Sequence, residues 1–170
     1  MEKQKCLLVI DVQNGVFTMK RTVYQADDLV ANLKRAIQWA RNEGIPVIYV
    51  QHENNTFLKR DTGDWEIADA IAPREGDIHV YKKKPNAFEG TNLKEILDRE
   101  GIWELIVGGL ISNGCVQATC EGAVELGYRV TLLKDGHSTM YKHPETVIRD
   151  VEEALGEKGV EIRTVGEVIG

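Results

Sequence analysis

Apolar residues in this chain fall into short, near-continuous runs, separated by stretches in which they recur every three or four positions. Five runs are dense, at residues 6–10, 46–50, 78–80, 103–107 and 129–133, and a weaker sixth covers 160–165. Runs this short, rich in Val, Ile and Leu and bounded by turn residues, predict strands buried on both faces of a parallel sheet. The intervening spacing predicts helices. Over 27–42, Leu29, Val30, Leu33, Ala36, Ile37 and Ala40 share one face, and Gly44 ends the pattern. A shorter helix is expected over 92–99, stopping at Gly101. Another carries Val116, Cys120, Ala123 and Val124 on one face and closes at Gly127. The last opens at His143-Pro144 and turns Val147, Ile148, Val151 and Leu155 inward.

Strands alternating with helices predict right-handed crossovers and helices on both sheet faces. The expected fold is α/β: a three-layer α/β/α, Rossmann-like arrangement around a mostly parallel six-stranded sheet. Residues 51–76 break the rhythm with polar residues, Gly63, Pro73 and a lone Trp65, and with at most a short helix over 66–71. Long loops of this kind tend to be lids or binding loops. No repeat, low-complexity tract or composition break divides the chain, so residues 1–170 are read as one domain.

Composition narrows the class of partner. At 42% hydrophobic, the 170 residues can bury a full core, which excludes a disordered or fibrous chain. Against 21 Lys and Arg stand 27 Asp and Glu, a net charge of −6. An acidic balance disfavours nucleic acid and anionic membrane, both of which reward a basic face. The expected partner is a small-molecule substrate, with no nucleic acid and no membrane. Cys6, Cys115 and Cys120 cannot all pair within one chain and show no paired metal-ligand spacing, which suits a reducing cytoplasm. The first residues lack a signal-like apolar stretch, and no run approaches the roughly 20 residues needed to span a bilayer.

Three reactive residue types follow predicted strands. Asp11 ends the first, Lys82 follows the third, and Cys115 follows the fourth across the turn 108–114 and begins a helix. The crevice beyond the carboxyl ends of parallel strands is where ligands bind, so an acid, an amine and a thiol share one edge of the fold. Singly, each has a plainer reading. Asp11 can cap a turn, Lys82 belongs to a run with Lys83 and Lys84, and most free cysteines are small buried hydrophobes. A helix start alters the weight for Cys115, because unpaired N–H groups and the helix dipole favour the thiolate. Cys6 and Cys120 read as core. The turn 11–15 has no glycine-rich phosphate cradle, and no cofactor is expected.

Three ordered motifs now stand out. Leu7-Leu8-Val9-Ile10-Asp11-Val12-Gln13-Asn14 resembles the opening motif of the isochorismatase-like cysteine hydrolases. Tyr81-Lys82-Lys83-Lys84-Pro85-Asn86-Ala87-Phe88-Glu89-Gly90-Thr91 is similar to their second motif, a lysine followed by Ser-Ala-Phe and often Gly-Thr. Gly108-Gly109-Leu110-Ile111-Ser112-Asn113-Gly114-Cys115-Val116, with Thr119, Ala123 and Gly127-Tyr128-Arg129-Val130, resembles the third.

The resemblance implies an Asp–Lys–Cys triad at Asp11, Lys82 and Cys115. In that family the carboxylate takes the thiol proton, the lysine steadies the charged pair, and the thiolate attacks a carbonyl to give a thioester that water hydrolyses. It also implies an oxyanion hole from the backbone N–H groups of Ile111 and Cys115, beside a cis peptide at Leu110–Ile111. Asn86 stands where the family has serine, and Pro85 where an aromatic is common, so Lys83 remains a second candidate for the lysine. Nicotinamidases of the family add a metal held by an aspartate and histidines after the second strand. Here residues 51–55 read Gln-His-Glu-Asn-Asn with no further histidine before His79, so no metal is expected and His52 is read as a polar loop residue.

Gln13, Phe17, Trp65 and Phe88 are the candidate substrate contacts, with Trp65 alternatively an anchor for its loop. Isochorismatases proper cleave a vinyl ether and typically carry glycine at the cysteine position. Cys115 therefore implies C–N hydrolysis of a small amide, carbamoyl or ureido substrate. Two alternatives stay open: vinyl-ether hydrolysis with Asp11 as general acid, and a non-enzymatic doubly wound binding domain. Family habit also implies a homo-oligomer, a dimer or tetramer.

Overall fold

The structure is a computed structural model and describes residues 4–170. Six strands form one sheet: β1 (Gln4–Ile10), β2 (Val47–His52), β3 (Ile78–Lys82), β4 (Ile102–Leu110), β5 (Arg129–Ser138) and β6 (Glu161–Arg163). Their spatial order is β3-β2-β1-β4-β5-β6, and every neighbouring pair is parallel. Six α-helices accompany them: α1 (Asn14–Phe17), α2 (Ala26–Asn42), α3 (Leu93–Arg99), α4 (Gln117–Glu125), α5 (Pro144–Glu157) and α6 (Val165–Ile169).

The central strands β2, β1, β4 and β5 read as continuous apolar runs because both faces of the sheet are covered there, while edge strand β3 leaves His79 and Tyr81 exposed. Along β1, Cys6, Leu8 and Ile10 join a core with Leu93 and Leu97 of α3, Cys120 and Ala123 of α4, and Val151 and Leu155 of α5. Leu7 and Val9 point the other way, onto Leu33, Ala36, Ile37 and Ala40 of α2 and Val165 of α6. Period-two alternation along a strand thus meets period-3.6 stripes on helices above and below. This is the three-layer α/β/α fold expected from the sequence.

Three segments differ from expectation. The run 160–165 divides: β6 ends at Arg163, and Val165 opens α6. A capping box stops the strand, with Thr164 Oγ1 accepting from Glu167 N while the Glu167 carboxylate accepts from Thr164 N. β5 runs on to Ser138, past a register shift opposite residues 107–109 of β4. In the long loop, helical structure is limited to a 3-10 turn at Asp69–Ile71, and a Gln13–Ile67 bridge ties the loop to the end of β1.

Chain order reverses between β1 and β4, and α/β sheets bind ligands at such a switch point. Gly109 lets the two strands meet there. Its φ is +127°, and a Cβ at that position would collide with the Ile10 backbone, one residue before Asp11.

Candidate active site

Asp11 continues β1 with φ at +53°, a left-handed conformation that aspartate tolerates better than most residues, while its N–H still donates to Val50 O at 2.9 Å. Lys82 is the last residue of edge strand β3, in register with His52 on β2. Cys115 lies in a π-helical turn, Ser112–Val116, that precedes α4.

These elements bring the three expected residues together, and His52 with them. Lys82 Nζ lies 3.1 Å from Asp11 Oδ2, 3.1 Å from Cys115 Sγ and 2.8 Å from His52 Nδ1. The Lys82 side chain is fully buried, so its ammonium spends its donors on these three acceptors. Lys83 is exposed, which leaves Lys82 as the lysine at the site. Because an ammonium only donates, His52 Nδ1 accepts and the ring carries its proton on Nε2. Burial and the Lys82 charge both hold His52 below an ordinary histidine pKa. His52 is therefore no loop residue. It ends β2, half-buried against the other three groups.

Asp11 Oδ1 is buried without a hydrogen-bond partner, a vacant acceptor beside the thiol. The thiol differs from expectation. Burial and the Asp11 carboxylate push Cys115 up to about 12, outweighing the downward pull of Lys82. Its proton stays on sulfur until a base removes it.

Asp11, His52 and Cys115 carry metal-binding atoms that lie within 4.8 Å of one another. A nitrogen, a sulfur and a carboxylate suit zinc at about 2.0–2.3 Å. Lys82 Nζ, however, stands 2.8–3.1 Å from all three, placing a positive charge where a cation would sit. These atoms fit the ammonium rather than an ion.

A cavity of about 330 Å³ opens over Asp11, His52, Ile111 and Cys115. Its walls are Val16, Met19, Phe57, Leu58, Leu110 and Met140, with Asn54 and Tyr141 completing it. The four candidate substrate contacts lie outside this lining. Gln13 is fully buried and staples the loop, donating from Nε2 to Trp65 O and His52 O at 2.7 and 3.0 Å. Trp65 anchors the loop instead, its ring 5.6 Å from Tyr81 with Arg60 5.7 Å above it. Phe17 packs against the α2 side of the core. Phe88 packs on the opposite side and stacks on Tyr128 at 5.7 Å. The sequence signal that points nearer the cavity wall is Gly15, where a Cβ would meet Phe57 O at 2.6 Å. Only glycine lets the Phe57 segment approach α1 so closely.

The family model for the isochorismatase domain matches residues 5–157. The chain belongs to the isochorismatase family. An uncharacterized isochorismatase family protein of Bacillus subtilis strain 168, YddQ, is 36% identical over 138 residues, covering 78% of this chain and 77% of that protein. N-carbamoylsarcosine amidase of an Arthrobacter species is 32% identical over 126 residues, covering 61% of this chain and 47% of that enzyme. The crystal structure of an isochorismatase from Pseudomonas putida KT2440 superposes with a TM-score of 0.87 at 29% identity, covering 97% of this chain and 91% of that one. Within the isochorismatase family this chain is a hydrolase. Its Leu110–Ile111 peptide, directly before the turn that carries Cys115, is cis.

Proposed function

We propose that this isochorismatase-family protein is a cysteine hydrolase that cleaves the C–N bond of a small amide, carbamoyl or ureido substrate through a thioester. The carrying observation is the Lys82 ammonium in contact with both the Asp11 carboxylate and the Cys115 sulfur, beneath the floor of a cavity at the sheet's switch point. Similarity to an enzyme named for amidase activity supports the amide class.

Asp11 Oδ1 takes the Cys115 proton as sulfur attacks the substrate carbonyl carbon. A C–S bond forms and the carbonyl oxygen becomes an oxyanion, assigned to the backbone N–H groups of Ile111 and Cys115. Lys82 stabilises sulfur while it is negative. The intermediate collapses, the C–N bond breaks, and the leaving nitrogen takes the proton held by Asp11. Water then attacks the thioester carbon and gives a proton to Asp11. The C–S bond breaks, the acid leaves, and the thiol recovers its proton. A raised thiol pKa suits this order, because deprotonation accompanies attack.

Ammonia release from a panel of small amides, ureides and carbamoyl compounds tests the reading. Cys115→Ala and Lys82→Ala are each expected to lower kcat/KM by at least about a thousandfold, the scale for loss of a nucleophile or its activator. Quenched reactions should show the acyl mass on Cys115. Full turnover by Cys115→Ala, with loss only in Asp11→Asn, would replace this proposal by the vinyl-ether mechanism.

A further inference from the structure

We infer that the site selects neutral amides whose acyl group is hydrocarbon and rejects amides that carry a second, anionic group. The inference rests on the amide-hydrolase reading and names the substrate class for that site. The reasoning starts from the cavity wall. Met19, Phe57, Leu58, Leu110 and Met140 present only carbon and sulfur, and no Lys or Arg belongs to the lining.

The cations on the segments that form the wall, Lys20, Arg21, Lys59, Arg60 and Lys142, all stand outside the lining. Lys82 lies beneath the floor with its donors directed to Asp11, His52 and Cys115. Arg60 lies 4.4 Å over the Tyr81 ring and 3.8 Å from Glu53. Asn54, a neutral amide, uses its Oδ1 to accept from Thr56 N, Thr56 Oγ1 and Leu58 N, holding the turn that carries Phe57. A substrate carboxylate entering this cavity would lose its water and meet no cation, and an unpaired buried charge is costly.

The rim carries the same message. Three of the chain's exposed large hydrophobic residues, Met19, Phe57 and Tyr141, surround this one opening, at 38%, 39% and 54% exposure. Burying those side chains against a hydrocarbon group recovers their apolar area, whereas a charged group gains nothing there. Orientation follows from the chemistry. Asp11 must reach the leaving nitrogen, so the nitrogen faces Asp11 and His52, and the acyl chain extends toward Met19, Phe57 and Tyr141. The cavity volume, about 330 Å³, is near the lower end of the about 300–1,000 Å³ typical of ligand sites, so that acyl group is small.

The experiment compares hexanamide with adipamate, its counterpart bearing a terminal carboxylate, by ammonia release and by protection of Cys115 from iodoacetamide. Hexanamide is expected to exceed adipamate in kcat/KM by about a hundredfold and to protect Cys115 at lower concentration. Met19→Lys, a change at an exposed position, should narrow that ratio about tenfold by giving the carboxylate a partner. If adipamate is turned over as well as hexanamide, or protects Cys115 equally, the inference is overturned while cysteine hydrolysis stands. If neither is turned over, the protection measurement decides, and lack of protection by hexanamide also overturns it. Turnover that survives Cys115→Ala sinks the underlying mechanism instead.

Discussion

Lys82 organises this site because one buried ammonium has as many N–H donors as it has acceptors around it. In the proposed reaction Asp11 and Cys115 are the base and the nucleophile, and His52 occupies the remaining donor. His52 thereby fixes the direction of the Nζ hydrogens and, through them, the approach of Lys82 to sulfur. It is a positioning residue. Removing its ring should free one donor without removing the charge. His52→Ala is expected to lower kcat about tenfold with a smaller change in KM, the scale for losing one charge-assisted hydrogen bond. His52→Gln keeps a side-chain acceptor and should recover most of that loss. Steady-state kinetics of the two variants provides the check, and equal losses in both would assign His52 to packing alone.

The turn Ser112–Val116 is the element that aims Cys115, and it is braced from behind. Ser112 Oγ and His137 Nδ1 are 2.7 Å apart, and His137 Nε2 lies 3.0 Å from Glu152 on α5. With Nε2–H donated to the carboxylate, Nδ1 accepts from the serine hydroxyl, and the chain of bonds joins β5, α5 and the turn. His137→Ala would leave both Ser112 and Glu152 without this partner. Folding stability is expected to fall by about 1–3 kcal/mol, read from urea unfolding, and kcat should fall more than KM rises because the turn loses its support. Glu152→Gln retains an acceptor and should be milder. Elements were the most legible level of this chain. The cores of β1, β2, β4 and β5 and the stripes of α2 and α4 follow from apolar spacing, because burial on both sheet faces imposes it. Edge strand β3, by contrast, exposes His79 and Tyr81, and α5 buries Val151 and Leu155 but leaves Val147 and Ile148 half-buried. The capping box at Thr164 was also written in Thr-Val-Gly-Glu, but the apolar run across it reads as strand. The meeting of Asp11, Lys82 and Cys115 was legible because the first two sit at strand ends and the third in the turn after β4, where parallel topology brings distant residues together. The cavity wall was not. Met19, Phe57, Met140 and Tyr141 come from loops far apart in the chain, and no local period encodes their meeting. Gln13 and Phe88 lie beside motif residues in sequence, yet their side chains turn into the loop staple and the α4-side core.

At the scale of the whole molecule, the three thiols share a pH signature. Cys6 in β1 and Cys120 in α4 are completely buried, one on the sheet and one on the helix facing it. Burial pushes Cys120 up to about 12 and raises Cys6 further, and Cys115 stands at about 12 for burial and its neighbouring carboxylate. In the unfolded chain the same thiols titrate near their ordinary value of about 8.5. Between that value and about 12 the folded state holds protons that the unfolded state has released, so rising pH favours unfolding. Each thiol contributes up to about 1.4 kcal/mol per pH unit to that loss. Tyr49, raised by burial to about 12, adds to it with the same sign above about pH 10. Stability measured by denaturant titration should therefore hold level from neutrality to the thiol range and then fall steeply. Cys120→Ala is informative through its slope. A cavity lowers stability equally at every pH, whereas removing a titrating thiol flattens the alkaline limb by up to about 1.4 kcal/mol per unit. An unchanged slope in Cys120→Ala would mean that this thiol titrates alike in the folded and unfolded chains, contrary to its burial between β1 and α4.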